Sequence, residues 1–281
     1  YRGNETEEKL IQTILYGASE IKDELSIVFD EVINNNWRKY RNPYYSLVNA
    51  VLCKLGDNQE VLKSLPDYVL RLAELYWINP MEEHHPFYSR VDVSEDFCID
   101  ESSSDYSPSS AYQTPIYWLL KYSFRETIDF ILRFVNKTVE CYVKSDLDDT
   151  EVREVEVIIN DKVIKQYISN RLWNAYRGTQ VTPKIFESIH MALEKFLLER
   201  AEHTDSEILE NVLMYLIENS KSASITAIAS SIVLANYEKT FNVAKVLFQT
   251  KEFFFYDNSR MVLDQTAKSL FMFGFGLNYK E

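Results

Sequence analysis

Between Ser222 and Phe271 apolar positions recur at helical spacing. Ile225, Ile228, Ala229, Ile232 and Val233 fall at i, i+3, i+4, i+7 and i+8 and predict one apolar stripe on a helix. Ala223, Ala227, Ser230, Ser231 and Ala235 surround that stripe. Side chains this small let other helices approach both flanks, so the helix is expected to be almost wholly enclosed. A second helix is expected over 238–250 with Val243, Ala244, Leu247 and Phe248, and a third from about Asn258 with Val262, Ala267, Leu270 and Phe271, the aromatic run Phe253 to Tyr256 lying between them. Helix, tight turn, helix, with small residues inside and aromatics between, predicts a helical repeat stack.

The rest of the chain extends that reading. From Thr6 to Trp37 a stripe of Ile11, Ile14, Ala18, Ile21, Leu25, Val28 and Val32 alternates spacings of three and four and predicts one long helix, either lying along its own domain or offered to a coiled-coil partner, and closed by Asn34 to Asn36. Pro43 and Pro66 open two further helices, carrying Leu47, Val48, Val51 and Leu52 up to Gly56, and Val69, Leu70, Ala73, Tyr76 and Trp77 up to Asn79-Pro80; they are expected to pair antiparallel. Periodicity is lost from Pro80 to Pro115, an acidic, serine-rich loop of the kind that is either functional or mobile. Thr114-Pro115 is an N-cap and first-turn pair for Ile116, Leu119 and Leu120, and Ser123 with Glu126 a capping box for a helix using Ile128, Ile131, Leu132, Val135, Val139 and Tyr142. The acidic run from Asp146 to Glu151 predicts a solvated turn. Alternation of Val155, Val157 and Ile159 with polar neighbours, the Asn160-Asp161 turn, and Val163, Ile164, Tyr167 and Ile168 predict a β-hairpin. Thr182-Pro183 and Thr204 with Glu207 start two more amphipathic helices. The expected fold is therefore mostly all-α, a solenoid-like stack of antiparallel helix pairs with one inserted β-hairpin near 152–168, organised as a helical section at 1–80, the acidic loop at 81–114 and a second helical section at 115–281.

Composition narrows the functions. Six glycines and seven prolines in 281 residues are few for a β-sandwich or barrel, while 19 tyrosines and 16 phenylalanines supply packing bulk. A formal net charge of -13 disfavours nucleic acid as a partner, since phosphate binding is driven by Lys and Arg. No apolar run is long enough for a membrane span, and the polar, acidic start from Tyr1 to Glu8 points to a cytoplasmic setting. Cys53, Cys98 and Cys141 are widely spaced and read as buried free thiols. The start at Tyr1 hints at a segment of something longer.

Candidate chemistry is sparse. The phosphate-loop, H-E-x-x-H and G-x-S-x-G motifs are absent, and Gly274-Phe275-Gly276 follows a helix where a dinucleotide loop would follow a strand. His84-His85 beside Glu82 and Glu83, and Glu187, His190 and Glu194 on one helical face, are the residue types that bind divalent cations; an extended stretch turns adjacent histidines apart, and the helical set also reads as plain solvated charge. Glu154 and Glu156 share one hairpin face without the lysine that a nuclease pair needs. No cofactor or metal is expected. The cluster Trp173, Tyr176 and Arg177 is either an anchor for a partner or a structural corner where Arg stacks on aromatics, with the corner favoured.

Three stretches, SAYQTP at 110–115, LWNAYRGTQ at 172–180, and NSKSASITAIASSIVLA at 219–235 running on to TKEFFFYDNSR at 250–260, resemble the helical regions that follow the ATPase core in bacterial STAND-type NTPases, especially Avs-like antiviral proteins. The resemblance implies a sensor that recognises a viral protein within a larger, oligomerising molecule. It carries no NTPase motif over to this chain. The expected function is thus a non-catalytic helical repeat module that binds a protein partner, in its sharpest version a phage protein, with Trp173, Tyr176, Arg177, Lys251, Tyr256 and Arg260 as the partner-binding residues. The alternatives are an interdomain scaffold without a ligand, or a metal-dependent enzyme using Glu154, Glu156, Glu187 or His190.

Overall fold

The computed structural model describes residues 3–38, 42–53, 59–79, 93–101 and 106–272, and among them the chain is mostly helical with one two-stranded antiparallel hairpin. His84-His85 and Gly274 to Gly276 lie outside the described residues, as does Gly56. The long helix expected over 6–37 is instead two: α1 (Gly3–Tyr16) and α2 (Lys22–Asn34). The interruption falls at Gly17, where the absence of a side chain weakens a helix by about 1 kcal/mol relative to Ala. The apolar stripe survives the break, with Leu15, Ala18, Leu25, Phe29 and Val32 buried on the same core.

Next come α3 (Tyr45–Cys53), the short α4 (Glu60–Ser64) and α5 (Pro66–Trp77), with α5 packed on both α2 and α3. Beyond α5 the acidic loop is partly docked structure. The turn α6 (Val93–Asp96) leads into a strap whose Ile99 bridges Ile78 in antiparallel fashion; Asn79 N donates to the Cys98 carbonyl at 2.8 Å and Asp100 N to the Trp77 carbonyl at 2.9 Å. Phe97 is fully buried and stacks on Tyr142 at 4.6 Å, and Trp77 Nε1 donates to the Tyr106 hydroxyl at 2.8 Å. Cys98 and Cys141 form a disulfide, which corrects the expectation of three free thiols: only Cys53 is free. The two sulfurs meet because the strap lies across α8, a proximity that a separation of 43 residues conceals.

α7 (Ile116–Tyr122) and α8 (Phe124–Lys144) follow. Pro115, not Thr114, occupies the cap of α7, and the Thr114 hydroxyl is buried without a partner. Ser123 caps α8 in position only: its Oγ donates to the Glu126 carboxylate at 2.8 Å instead of accepting a backbone N–H. The hairpin has the expected register, β1 (Arg153–Ile159) against β2 (Lys162–Ile168), with Val157 opposite Ile164. Asn160 and Asp161 both have positive φ, 48° and 63°, the conformation of a type I′ turn that matches strand twist. An isolated hairpin is marginal, and this one is anchored through its buried face. Gln166 is fully buried, donating to the Ile217 carbonyl at 2.9 Å and accepting from Thr226 at 2.7 Å.

The chain then turns through α9 (Asn170–Trp173) and a 3-10 turn (Ala175–Arg177) into α10 (Lys184–Glu202), α11 (Ser206–Asn219), α12 (Ala223–Ala235), α13 (Phe241–Phe248) and α14 (Lys251–Met272). The Thr204 hydroxyl bonds back to the Arg200 carbonyl, and Asp205 takes the cap position of α11. The small-residue helix α12 is enclosed as its composition demands: Ala223 to Ala229 are buried, and α9, α10, α11, α13 and β2 all pack on it. Its last turn is not enclosed, since Leu234 is 60% exposed. The third helix of this group begins at Lys251, so the Phe253 to Tyr256 run forms its first turns and not a connection. A single hydrophobic core runs from Ile11 to Tyr256, shared by both expected helical sections. Among the described residues no helix is long and apolar enough to cross a membrane.

Candidate functional site

Three groups of residues bear on function, beginning with the corner at Trp173. Ser169 starts it, its hydroxyl accepting from Leu172 N at 3.1 Å, and Gly178 closes it with φ of 60°, a left-handed conformation that glycine adopts without steric penalty. Trp173 stacks on Phe253 at 5.2 Å and lies 6.5 Å from Tyr256, both on α14. Around this aromatic joint Arg260 pairs with Asp257 and Asp264, each at 2.8 Å, and Arg177 reaches Asp264 at 3.3 Å. Burial drives the Tyr176 phenol pKa upward, and the Asp257 carboxylate holds the Arg260 guanidinium charged. The structure therefore brings five of the six expected partner-binding residues together, as the socket in which α14 is seated. Trp173, Tyr176 and Tyr256 face the core and present no ring face to solvent. Arg177 and Arg260 are engaged by the α14 aspartates, whereas Lys251 is exposed on the first turn of α14.

The second group is Glu187, His190 and Glu194 on α10. The reading of these three as solvated charge is corrected by burial. Glu187 is fully buried and held by the hydroxyls of Ser109 and Thr182, both at 2.5 Å, and by Lys184 at 2.9 Å. His190 is also fully buried. Its Nδ1 lies 2.7 Å from the Phe186 carbonyl, which can only accept, so Nδ1 carries the proton and Nε2 accepts from Ser224 at 2.8 Å. Burial depresses its pKa to about 4, so the ring is neutral at pH 7. Glu194, partly buried, accepts from Ser231 at 2.5 Å, and burial raises its pKa. Each group is satisfied by a hydroxyl or backbone partner. Among the described residues no set of three or more His, Cys, Asp or Glu side chains is arranged to hold a metal ion. Glu154 is exposed and paired with Lys165 at 2.6 Å across the hairpin.

The third group was not anticipated. Eight of the eighteen exposed large apolar side chains among the described residues fall between Leu234 and Val262, on the end of α12, the turn that follows it, and α13 and α14. Tyr237, Phe241, Phe248 and Phe255 are 64 to 71% exposed, and Phe248 and Phe254 stack at 5.4 Å with their planes 10° apart. Beneath them a small apolar cleft of about 90 Å³ opens between Leu234, Leu247 and Phe253. Exposed apolar residues scattered singly are ordinary in proteins, whereas Leu234, Phe248 and Phe254 share the lining of one cleft. A signal was present in the sequence: at 100° per residue, Phe253, Phe254, Phe255 and Tyr256 cannot all face one core, and only Phe253 and Tyr256 do.

The sequence matches no protein-family model and no curated protein.

Proposed function

We propose that this chain is a non-catalytic protein-binding module, a solenoid-like stack of helix pairs that docks its partner on the apolar surface formed by Leu234, Tyr237, Phe241, Phe248, Phe254 and Phe255. The observation that carries this reading is the concentration of exposed aromatics there, with Phe248 and Phe254 already stacked over a cleft. Aromatic side chains deliver large contact area at low entropic cost and dominate binding hot spots. On α14 Phe254, Phe255, Met261 and Val262 are exposed between polar residues such as Lys251, Asn258 and Gln265, so the apolar contact is local within a mixed surface.

The sharper form of the proposal takes the partner to be a phage protein and the chain to be the sensor region of a larger, oligomerising STAND-type NTPase in the bacterial cytoplasm. That form is supported by the resemblance of residues 110–115, 172–180 and 219–260 alone, and its docking residues differ from those the sequence suggested. The Cys98–Cys141 disulfide weighs against the cytoplasmic part, because such bonds are rare in reducing compartments. Co-expression with individual phage structural and packaging proteins, followed by purification of the complex, tests the sensor form. A complex lost on Phe254→Asp supports it, while failure of every phage protein to bind eliminates it. Deleting this chain from the parent protein separates sensor from scaffold: a scaffold would abolish assembly, a sensor only the response to the partner.

A further inference from the structure

At 100° per residue α14 has two distinct faces. Phe253, Tyr256, Arg260 and Asp264 hold one of them on the Trp173 corner. Phe254, Asn258, Met261 and Gln265 lie on the other, and all four are exposed. Their spacing, i, i+4, i+7 and i+11, is that of the inward positions of a two-helix seam. Phe255 and Val262, also exposed, follow Phe254 and Met261 directly and widen the stripe.

Charge, area and hydrogen-bonding chemistry each bear on what covers this stripe. The chain carries a net charge of -13, yet among the described residues the stripe holds no Asp or Glu, and its one cation, Lys251, lies at its start. Asp257 and Asp264 are turned toward Arg260 instead. Two acidic bodies can therefore meet here without bringing carboxylates together, a juxtaposition that would oppose association elsewhere on the surface. The eight exposed apolar side chains from Leu234 to Val262 are 44 to 71% exposed. With about 150–250 Å² for a whole aromatic side chain, they present on the order of 800 Å², which is what one partner contributes to a standard protein interface. Asn258, in the middle of the stripe, carries both donors and an acceptor, so across a two-fold axis it can pair with its own copy. A single polar residue at an inward position is also what fixes the register of paired helices.

We propose that α14 pairs with α14 of a second copy of this chain about a two-fold axis, with Phe254 and Met261 packed across the seam and Phe248, stacked on Phe254, at its edge. The second copy occupies the apolar surface proposed above as a docking site, so this assignment rests on that reading.

Sedimentation equilibrium of the chain from about 1 to 100 µM tests the pairing. The mass is expected to rise with concentration toward twice the 33.1 kDa of one chain. Association should tighten as salt is raised from roughly 50 to 500 mM, because screening relieves the repulsion between two acidic bodies and the seam has no ion pair to lose. Met261→Asp and Met261→Lys should each weaken association by at least about a hundredfold, since every substitution appears on both sides of the seam. Mixed in equal amounts, the two variants should recover a dimer, because Asp then faces Lys. Phe254→Asp should also dissociate the dimer, and Val163→Asp, outside the seam, should not. Phe254 and Met261 are 51% and 44% exposed, so their variants should keep the wild-type melting temperature.

A wild-type chain that stays monomeric over this range, a dimer that Met261→Asp leaves intact, or a mixture of the two Met261 variants that stays monomeric would each overturn the pairing. A monomeric chain that cosediments with phosphatidylcholine vesicles would give the stripe to a lipid surface and overturn it as well. The docking surface itself is judged separately: a monomer that still captures a phage protein through Phe254 would sink only the second copy, whereas a monomer that captures none would sink both.

Discussion

Trp173 stacks on Phe253 with ring centroids 5.2 Å apart and planes 26° from parallel, and this contact seats α14 on the corner that follows the hairpin. Trp173 is fully buried, and its indole N–H has no hydrogen-bond partner. Trp173→Ala removes the floor beneath Phe253 and Tyr256 and should cost about 3–5 kcal/mol in urea unfolding. Trp173→Phe keeps a ring in place and deletes an unsatisfied donor, so it should cost less than half as much. Hydrogen exchange would show the loss in the alanine variant concentrated in α14; a loss spread evenly over α1 to α5 would contradict the joint.

His190 makes stability depend on acid. Its folded pKa, about 4, lies below the ordinary value of 6.5, so between these pH values the unfolded chain binds a proton that the folded chain does not. Its contribution is fully present above about pH 6.5 and falls as pH drops toward 4, by on the order of 3 kcal/mol in all. Glu194 works in the opposite direction, since its raised pKa adds stability that is lost as pH rises. Urea midpoints at pH 7 and pH 5 should therefore converge in His190→Gln relative to wild type. An unchanged difference between the two pH values would mean that His190 does not titrate as its burial requires.

How far the fold could be read in advance depended on whether the deciding contact was local. The enclosure of α12 followed from the small residues around Ile225 and Ile228, and the hairpin from alternation and from Asn160-Asp161, because helix faces and two-residue turns are set by neighbours in sequence. The break at Gly17 was hidden by a stripe that continues through it. The roles of Glu187 and His190 were not readable, because what satisfies them comes from Ser109, Thr182 and Ser224, residues on other segments. Of the candidate site, the local cluster of Trp173, Tyr176 and Arg177 was legible, but not that Tyr256 and Arg260 of α14 complete it, nor which way the rings pointed. The exposed partners of Phe253 and Tyr256, namely Phe254 and Phe255, were hidden by the misplaced start of α14.

The Cys98–Cys141 bond should be visible in both chemistry and stability. Unfolding without reductant should leave one alkylatable thiol, Cys53, and reduction should raise the number to three. By chain entropy a closure over 43 residues stabilises by up to about 4 kcal/mol, so reduction should lower the urea midpoint, and the double variant Cys98→Ala/Cys141→Ala should be insensitive to reductant. The strap itself is expected to remain docked after reduction, because Phe97 and the backbone bonds to Trp77 and Asn79 do not involve sulfur. Three alkylated thiols before reduction would show that the bond does not form.

The aromatic surface separates binding from folding. Phe248 and Phe254 are 65% and 51% exposed, so replacing both with Asp should change stability by no more than about 0.5 kcal/mol while placing two charges where a partner must exclude water. Loss of partner binding by at least about a hundredfold is expected, since hot-spot truncations commonly exceed 2 kcal/mol. Val163 on the hairpin and Val181, 51% and 71% exposed and outside this surface, provide the control: replacing both with Asp adds the same two charges and should leave affinity unaltered. If the control and the double variant weakened binding equally, net charge and not the aromatic surface would govern the interaction. If neither did, the partner would dock elsewhere, and the exposed aromatics of α13 and α14 would have to be covered by something other than a binding partner.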